Sequence, residues 1–179
     1  MSLLVLVLMS MTESTSIRLF IHWIIVLLLF LIILPLVYVY LRIYGAGTGI
    51  NLRNDPTVFL KRHPQDVLIV AFLFGLPGLV CLFFMEATPI LLYTYSALFV
   101  GSLAIALCNL FYRVSYHLGT VTILAIMASI AWGQNYLILL AAIPLIGWAK
   151  YHIKEHTVTQ LLSGIVIAVF IGGFVLVVR

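Results

Sequence analysis

"AKYHIKEHTVTQLLSGIVIAVFIGGFVLVV", residues 149–178, decides the fold. Its second part, 157–178, carries no charged residue and is long enough, as a helix, to cross ~30 Å of hydrocarbon, a distance that takes about 20 apolar residues. Its first part gathers two lysines, a glutamate and two histidines between Lys150 and His156. A chain that is 65% hydrophobic and only 8% charged has little reason to concentrate so many polar groups in one place. The stretch therefore reads as a spanning helix with a polar cluster at its mouth, and the same pattern can be sought elsewhere.

Measured against that ruler, hydrophobic runs occupy 17–43, 66–86, 89–111, 116–133, 135–149 and 157–178, each bounded by Pro, Gly, charge or a polar cluster. The fourth and fifth are short and separated by "WGQN" (132–135), because one continuous helix there would be too long to span. No run alternates apolar with polar residues as barrel strands do. The expected fold is all-α, an integral membrane bundle of about six transmembrane helices. A single domain covers 17–179 behind a short N-terminal segment, 1–16, which is too short to span and lacks the basic start of a signal peptide. Cys81 and Cys108, inside hydrophobic runs, read as small buried side chains rather than a disulfide or metal pair. The net charge of +4 is scattered over flanking loops without a basic tract, which argues against nucleic acid as a partner.

Six spans put the loops 42–66, 112–117 and 150–156 on one side. That side holds Arg42, Arg53, Lys61, Arg62, Arg113, Lys150 and Lys154, and also His63, His117, His152 and His156. The positive-inside tendency accounts for lysine and arginine but not for histidine. Three loops converging on an anion account for both, with Arg53, Lys61, Arg62, Arg113 and Lys150 as phosphate-binding candidates and histidines placed for chemistry. If the last span begins near His156, Gln160 lies one helical turn further on the same face, where its side chain can hydrogen-bond and orient the imidazole.

The spacing Ala149-Lys150, five residues, His156, three residues, Gln160 resembles the third signature of the type 2 phosphatidic acid phosphatase and haloperoxidase superfamily, S-R-x5-H-x3-D. Ala149, Lys150 and Gln160 stand where that signature has Ser, Arg and Asp, and His156 is retained. "VSYH" (114–117) resembles the second signature, P-S-G-H, keeping Ser115 and His117. The first, K-x6-R-P, has no clear counterpart; Arg62, with one residue between it and Pro64, is the nearest match, with Lys61 and Arg53 looser candidates. The resemblance implies a membrane lipid phosphatase of the phosphomonoester or pyrophosphate type. In it His156 would form a phosphohistidine, His117 would protonate the leaving group, and Lys150, Arg62 and Ser115 would hold the phosphate. It implies no metal and no other cofactor. Its substrate would be a lipid phosphate, and its place the plasma membrane or a cell inner membrane.

Two other readings use the same residues. "HIKEH" (152–156) is H-x-x-E-H, the inverted zinc-protease motif, with a third ligand to come from His117, His63, Asp66 or Asp55. Alternatively the cluster is an interfacial collar on a catalytically impaired relative that binds lipid phosphate without turning it over. A transporter is disfavoured, since apart from His22 near a span edge no charged or histidine side chain sits mid-span. "GAGTG" (45–49) reads as a linker, and the small residues of "GIVIAVFIGG" (164–173) as a helix-packing surface.

Overall fold

The structure, a computed structural model, describes residues 6, 7, 10, 11, 16–45 and 64–178, and among these it is helical with no strand. Helix α1 covers 17–45 in three parts: Ile17–Leu28, a π-helical turn Leu29–Ile33, and Leu34–Gly45. The widened turn shows in the Leu34 amide, which bonds back to the Leu29 carbonyl, and it lies beside Pro35, which has no amide proton to offer Leu31. Then come α2, Pro64–Phe84, and α3, Pro89–Asn109. Helix α4, Tyr116–Trp132, is followed by a 3-10 segment, Gln134–Ala141, which runs into α5, Ala142–His152. Helix α6 is Val158–Val178.

Four of these helices are long and apolar enough to cross a membrane, at 17–42, 65–84, 89–109 and 158–177, and α4 and α5 are the two shorter apolar helices. Burial orders them. Half of the α3 window is buried, against 17%, 11% and 22% for α1, α2 and α6, so α3 is the central post and the others face outward. Around it Trp23 and Leu27 of α1, Leu82 of α2, Leu91, Tyr95 and Leu98 of α3, Ile123, Leu124 and Met127 of α4 and Ala168 of α6 pack as one core. Meanwhile Phe72, Phe83, Phe84, Phe170 and Phe174 lie exposed, more apolar surface than a water-facing monomer carries and compatible with hydrocarbon surroundings.

The expected break between the fourth and fifth runs falls at Gly133, whose φ of 102° is open to glycine and strained for any side chain. Two expectations need correction. The fifth run does not stop at Ala149: α5 continues to His152, so Lys150 and His152 are helical and the polar connection shrinks to 153–157. Cys108, near the end of α3, is exposed rather than buried, and Cys81 is half-buried; both are free thiols. The small residues of the last run do pack as expected at Gly164 and Gly172, whereas Gly173 faces open space.

Helices α2 and α5 end in the same way. After α2 the Ala87 amide bonds to the Leu82 carbonyl at 3.0 Å and the Glu86 amide to Phe83 at 3.2 Å, with Glu86 at φ 52°. This is the Schellman closure, which satisfies helix-end carbonyls and usually recruits glycine at the left-handed position. Here a glutamate takes it, and at the end of α5 a lysine does.

Candidate functional site

At the end of α5 the Glu155 amide bonds to the Lys150 carbonyl at 3.1 Å and the Lys154 amide to Tyr151 at 2.9 Å, with Lys154 at φ 56°. The turn folds the chain back on itself and brings Glu155 over the residue five positions earlier. Lys150 Nζ meets Glu155 Oε2 at 2.5 Å, with the two side chains only 22% and 19% exposed. Lys150 is thus neutralised by its own neighbour. His152, the last residue of α5, stacks on Trp148 with ring centroids 5.3 Å apart.

Beyond the turn, α6 opens with a capping box that "TVTQ" (157–160) encodes. The Gln160 amide reaches Thr157 Oγ1 at 3.4 Å, and the Thr157 amide returns a bond to Gln160 Oε1 at 3.1 Å. The same oxygen lies 3.3 Å from Nδ1 of half-buried His156. These contacts assign the histidine tautomer. A backbone N–H can only donate, so the Gln160 atom facing it is the carbonyl oxygen; an oxygen can only accept, so Nδ1 carries the proton. In the neutral ring this leaves the lone pair on Nε2, the form a nucleophile needs.

The second loop is tied to the first. The Ser115 amide bonds to the Gln160 carbonyl at 3.1 Å, and the Tyr112 hydroxyl donates to Thr159 Oγ1 at 2.9 Å. Close approach of α4 and α6 makes this possible, because a Cβ on Gly164 would stand 2.6 Å from the Ser115 carbonyl oxygen. Ser115, Gln160 and their neighbours therefore share one end of the bundle. Ser115 is the N-cap of α4, but its side chain caps nothing: Oγ is fully buried and finds no partner among the described residues. His117 is the second residue of α4 and exposed, as is Arg113 just before it. A phosphate could reach His117 and Arg113 from outside, whereas contact with the Ser115 hydroxyl would require the α4–α6 seam to open.

Arg53, Lys61 and Arg62 lie outside the described residues. Among those described, no three of His, Cys, Asp and Glu gather as a metal site. The H-x-x-E-H spacing also loses its geometry, since His152 ends one helix and His156 follows a left-handed turn, so the two do not share a helical face.

One polar cluster was not foreseen from the sequence. Asp66 in the first turn of α2 is 1% exposed; its Oδ1 accepts the Tyr38 hydroxyl at 3.1 Å and lies 3.6 Å from Arg42 Nε. It fastens the end of α1 to the start of α2. The signal available was only a lone acid at the edge of a hydrophobic run, with its partners far away in sequence. Compared with known proteins, the chain matches no family model, no curated protein and no solved structure.

Proposed function

We propose that the chain is an integral membrane protein of the lipid phosphatase type, hydrolysing a lipid phosphomonoester or pyrophosphate at the bilayer surface. The observation that carries this reading is the hydrogen bond from His156 Nδ1 to Gln160, which leaves Nε2 available. In the proposed step Nε2 attacks phosphorus in line, the P–O bond to the leaving group breaks, and an imidazolium at His117 gives that oxygen its proton. Water then attacks the phosphohistidine, handing a proton back to His117 and freeing His156. Phosphoryl transfer asks mainly for positioning and for dispersal of negative charge over fixed cations. Exposed Arg113 is one such cation, and Arg62, Lys61 and Arg53, outside the described residues, are further candidates by sequence. Lys150 joins them once an incoming phosphate displaces Glu155. Gln160 holds the tautomer but offers only a dipole to the cationic phosphohistidine, where a carboxylate would offer a charge.

One observation favours a second reading, a protein that binds lipid phosphate without turning it over. The group on His156 Nδ1 is the neutral amide of Gln160, which gives a cationic phosphohistidine no charge to offset it. One experiment separates the two. Purified protein is given phosphatidic acid and a polyprenyl pyrophosphate in the presence of EDTA, and inorganic phosphate is followed for wild type and His156→Ala. Release that His156→Ala abolishes supports the phosphatase. Retention of lipid phosphate without release, weakened by Lys150→Ala, supports the binding protein. Release that EDTA stops and zinc restores would sink both.

A further inference from the structure

A partly open cavity of about 160 Å³ lies where one face of α3 meets α1 and α2, with Tyr116 of α4 at its edge. Leu98, Phe99 and Ser102 line it from α3, a spacing that sets them on one helical face. Small residues of α2 make the room. Ala71 and Gly75 form the facing wall, and a Cβ on Gly75 would overlap the Phe99 ring. The Tyr95 hydroxyl takes no part, being closed off and packed against Gly78.

The polar feature of this wall is a pair of hydroxyls. Tyr116 and Ser102 both line the cavity and both are half-buried, and the Tyr116 hydroxyl donates to Ser102 Oγ at 2.6 Å. Ser102 departs from the habit of the other hydroxyls in the bundle. Thr94, Ser96, Thr122, Ser129 and Ser163 each give their proton to a backbone carbonyl three or four residues earlier, at 2.7–2.8 Å. Ser102 Oγ turns to Tyr116 instead, and its own proton has no acceptor among the described residues. The pair therefore offers one unspent donor, the Ser102 proton, and one unspent acceptor, the Tyr116 oxygen. An alcohol is the complement of both, since its oxygen accepts and its proton donates; a ketone or ether uses the donor alone.

The apolar remainder fixes the rest of the guest. Ser102 lies seven residues before Asn109, the end of α3, and Tyr116 begins α4, so the hydroxyls sit at the end of the slot nearer these helix ends. From there the wall runs inward past Leu98 to the level of Tyr95, roughly 10 Å along α3 at the usual helical rise. Apolar cavities of about 150 Å³ hold a guest the size of benzene. Drawn out over that length, a similar volume admits one hydrocarbon chain and not two.

We propose that this slot binds a single-chain alcohol from the bilayer, its hydroxyl closing a ring with Ser102 and Tyr116 and its chain lying between α2 and α3. The alcohol oxygen receives the Ser102 proton, and the alcohol proton goes to the Tyr116 oxygen. The inference rests on the protein being embedded in a bilayer and is independent of the phosphatase chemistry, which uses none of these residues.

The test uses the full chain in phosphatidylcholine nanodiscs and measures equilibrium retention of labelled dodecanol and dodecane above that of empty nanodiscs. Each probe is compared between proteins, which cancels its own partitioning into lipid. Dodecanol should be retained saturably, and Ser102→Ala should weaken it about threefold to tenfold, the range of one net hydrogen bond, while leaving dodecane unchanged. Tyr116→Phe should also weaken the alcohol and spare the hydrocarbon. Ala71→Phe should weaken both by filling the slot, and unlabelled dioleoylglycerol, an alcohol with two chains, should fail to displace dodecanol. Absence of saturable dodecanol retention, an equal effect of Ser102→Ala on both probes or on neither, or indifference to Ala71→Phe in a folded protein overturns the proposal. Displacement by dioleoylglycerol as effective as by dodecanol itself overturns the single-chain assignment. Phosphate release is not among the readouts, so loss of the phosphatase reading would leave this result standing.

Discussion

His156 and Gln160 are joined by a 3.3 Å contact between Nδ1 and Oε1, and the same oxygen receives the Thr157 amide at 3.1 Å. One glutamine thus closes the first turn of α6 and sets a histidine tautomer. The two duties separate on substitution. Gln160→Ala should lower stability by about 1 kcal/mol through loss of the cap and reduce phosphate release as well. Gln160→Glu keeps the acceptor and adds a charge that favours both the helix N-terminus and a cationic phosphohistidine. Its stability should be unchanged or higher and its turnover at least that of wild type. Thermal unfolding in detergent and initial rates of phosphate release, taken together, check the pair; a slower Gln160→Glu enzyme would count against His156 as nucleophile.

Lys150 and Glu155 form an ion pair, and under the proposed function a phosphate ligand would have to compete with it. Glu155→Gln removes the competitor and leaves the lysine and the turn in place. Retention of a phosphatidic acid probe should therefore tighten, about fivefold for ~1 kcal/mol of relieved pairing, the upper end of what partly exposed pairs contribute. Lys150→Ala in the same background should erase the gain. Unchanged retention in Glu155→Gln would remove Lys150 from the site.

The long helices were legible because length and hydropathy alone decide them, and the break at Gly133 because "WGQN" interrupts a run too long to be one span. The His156–Gln160 proximity was legible as spacing, but half of its meaning was not taken: "TVTQ" is a capping box before it is anything catalytic. Other features depend on conformation that composition does not announce. The Lys150–Glu155 pair follows from a left-handed residue at Lys154, where glycine would have signalled the turn. Burial of Ser115 follows from Gly164 on another helix, and the Tyr38–Asp66 bond joins residues 28 apart in sequence. Each is a tertiary fact carried by residues whose local preferences point elsewhere.

Lys154 and Glu86 occupy left-handed positions at φ 56° and 52°, a conformation that is unfavourable by roughly 1–2 kcal/mol for residues with a Cβ. Lys154→Gly and Glu86→Gly should each raise stability by about 1 kcal/mol less the extra chain entropy of glycine, a net gain of a few tenths or more. Lys154→Val should lower it by more than either glycine raises it, since β-branching fits this region worst. Thermal midpoints of the three variants in one detergent check the ordering.

Gly164 and Gly173 face opposite circumstances on the same helix. At Gly164 a Cβ would stand 2.6 Å from the Ser115 carbonyl oxygen, a backbone atom that cannot swing aside; at Gly173 nothing lies within 4 Å. Gly164→Ala should therefore push α6 away from α4, costing about 1–3 kcal/mol as overpacked sites do, and stretch the Ser115–Gln160 bond that joins the two loops. Gly173→Ala should be neutral or slightly stabilising, because alanine is the better helix former. The same separation reaches function. If the α4–α6 seam holds His117 and His156 in register, Gly164→Ala should lose phosphate release at temperatures where circular dichroism still reports a folded bundle, and Gly173→Ala should not. Equal behaviour of the two variants in both assays would show that the seam does not organise the site.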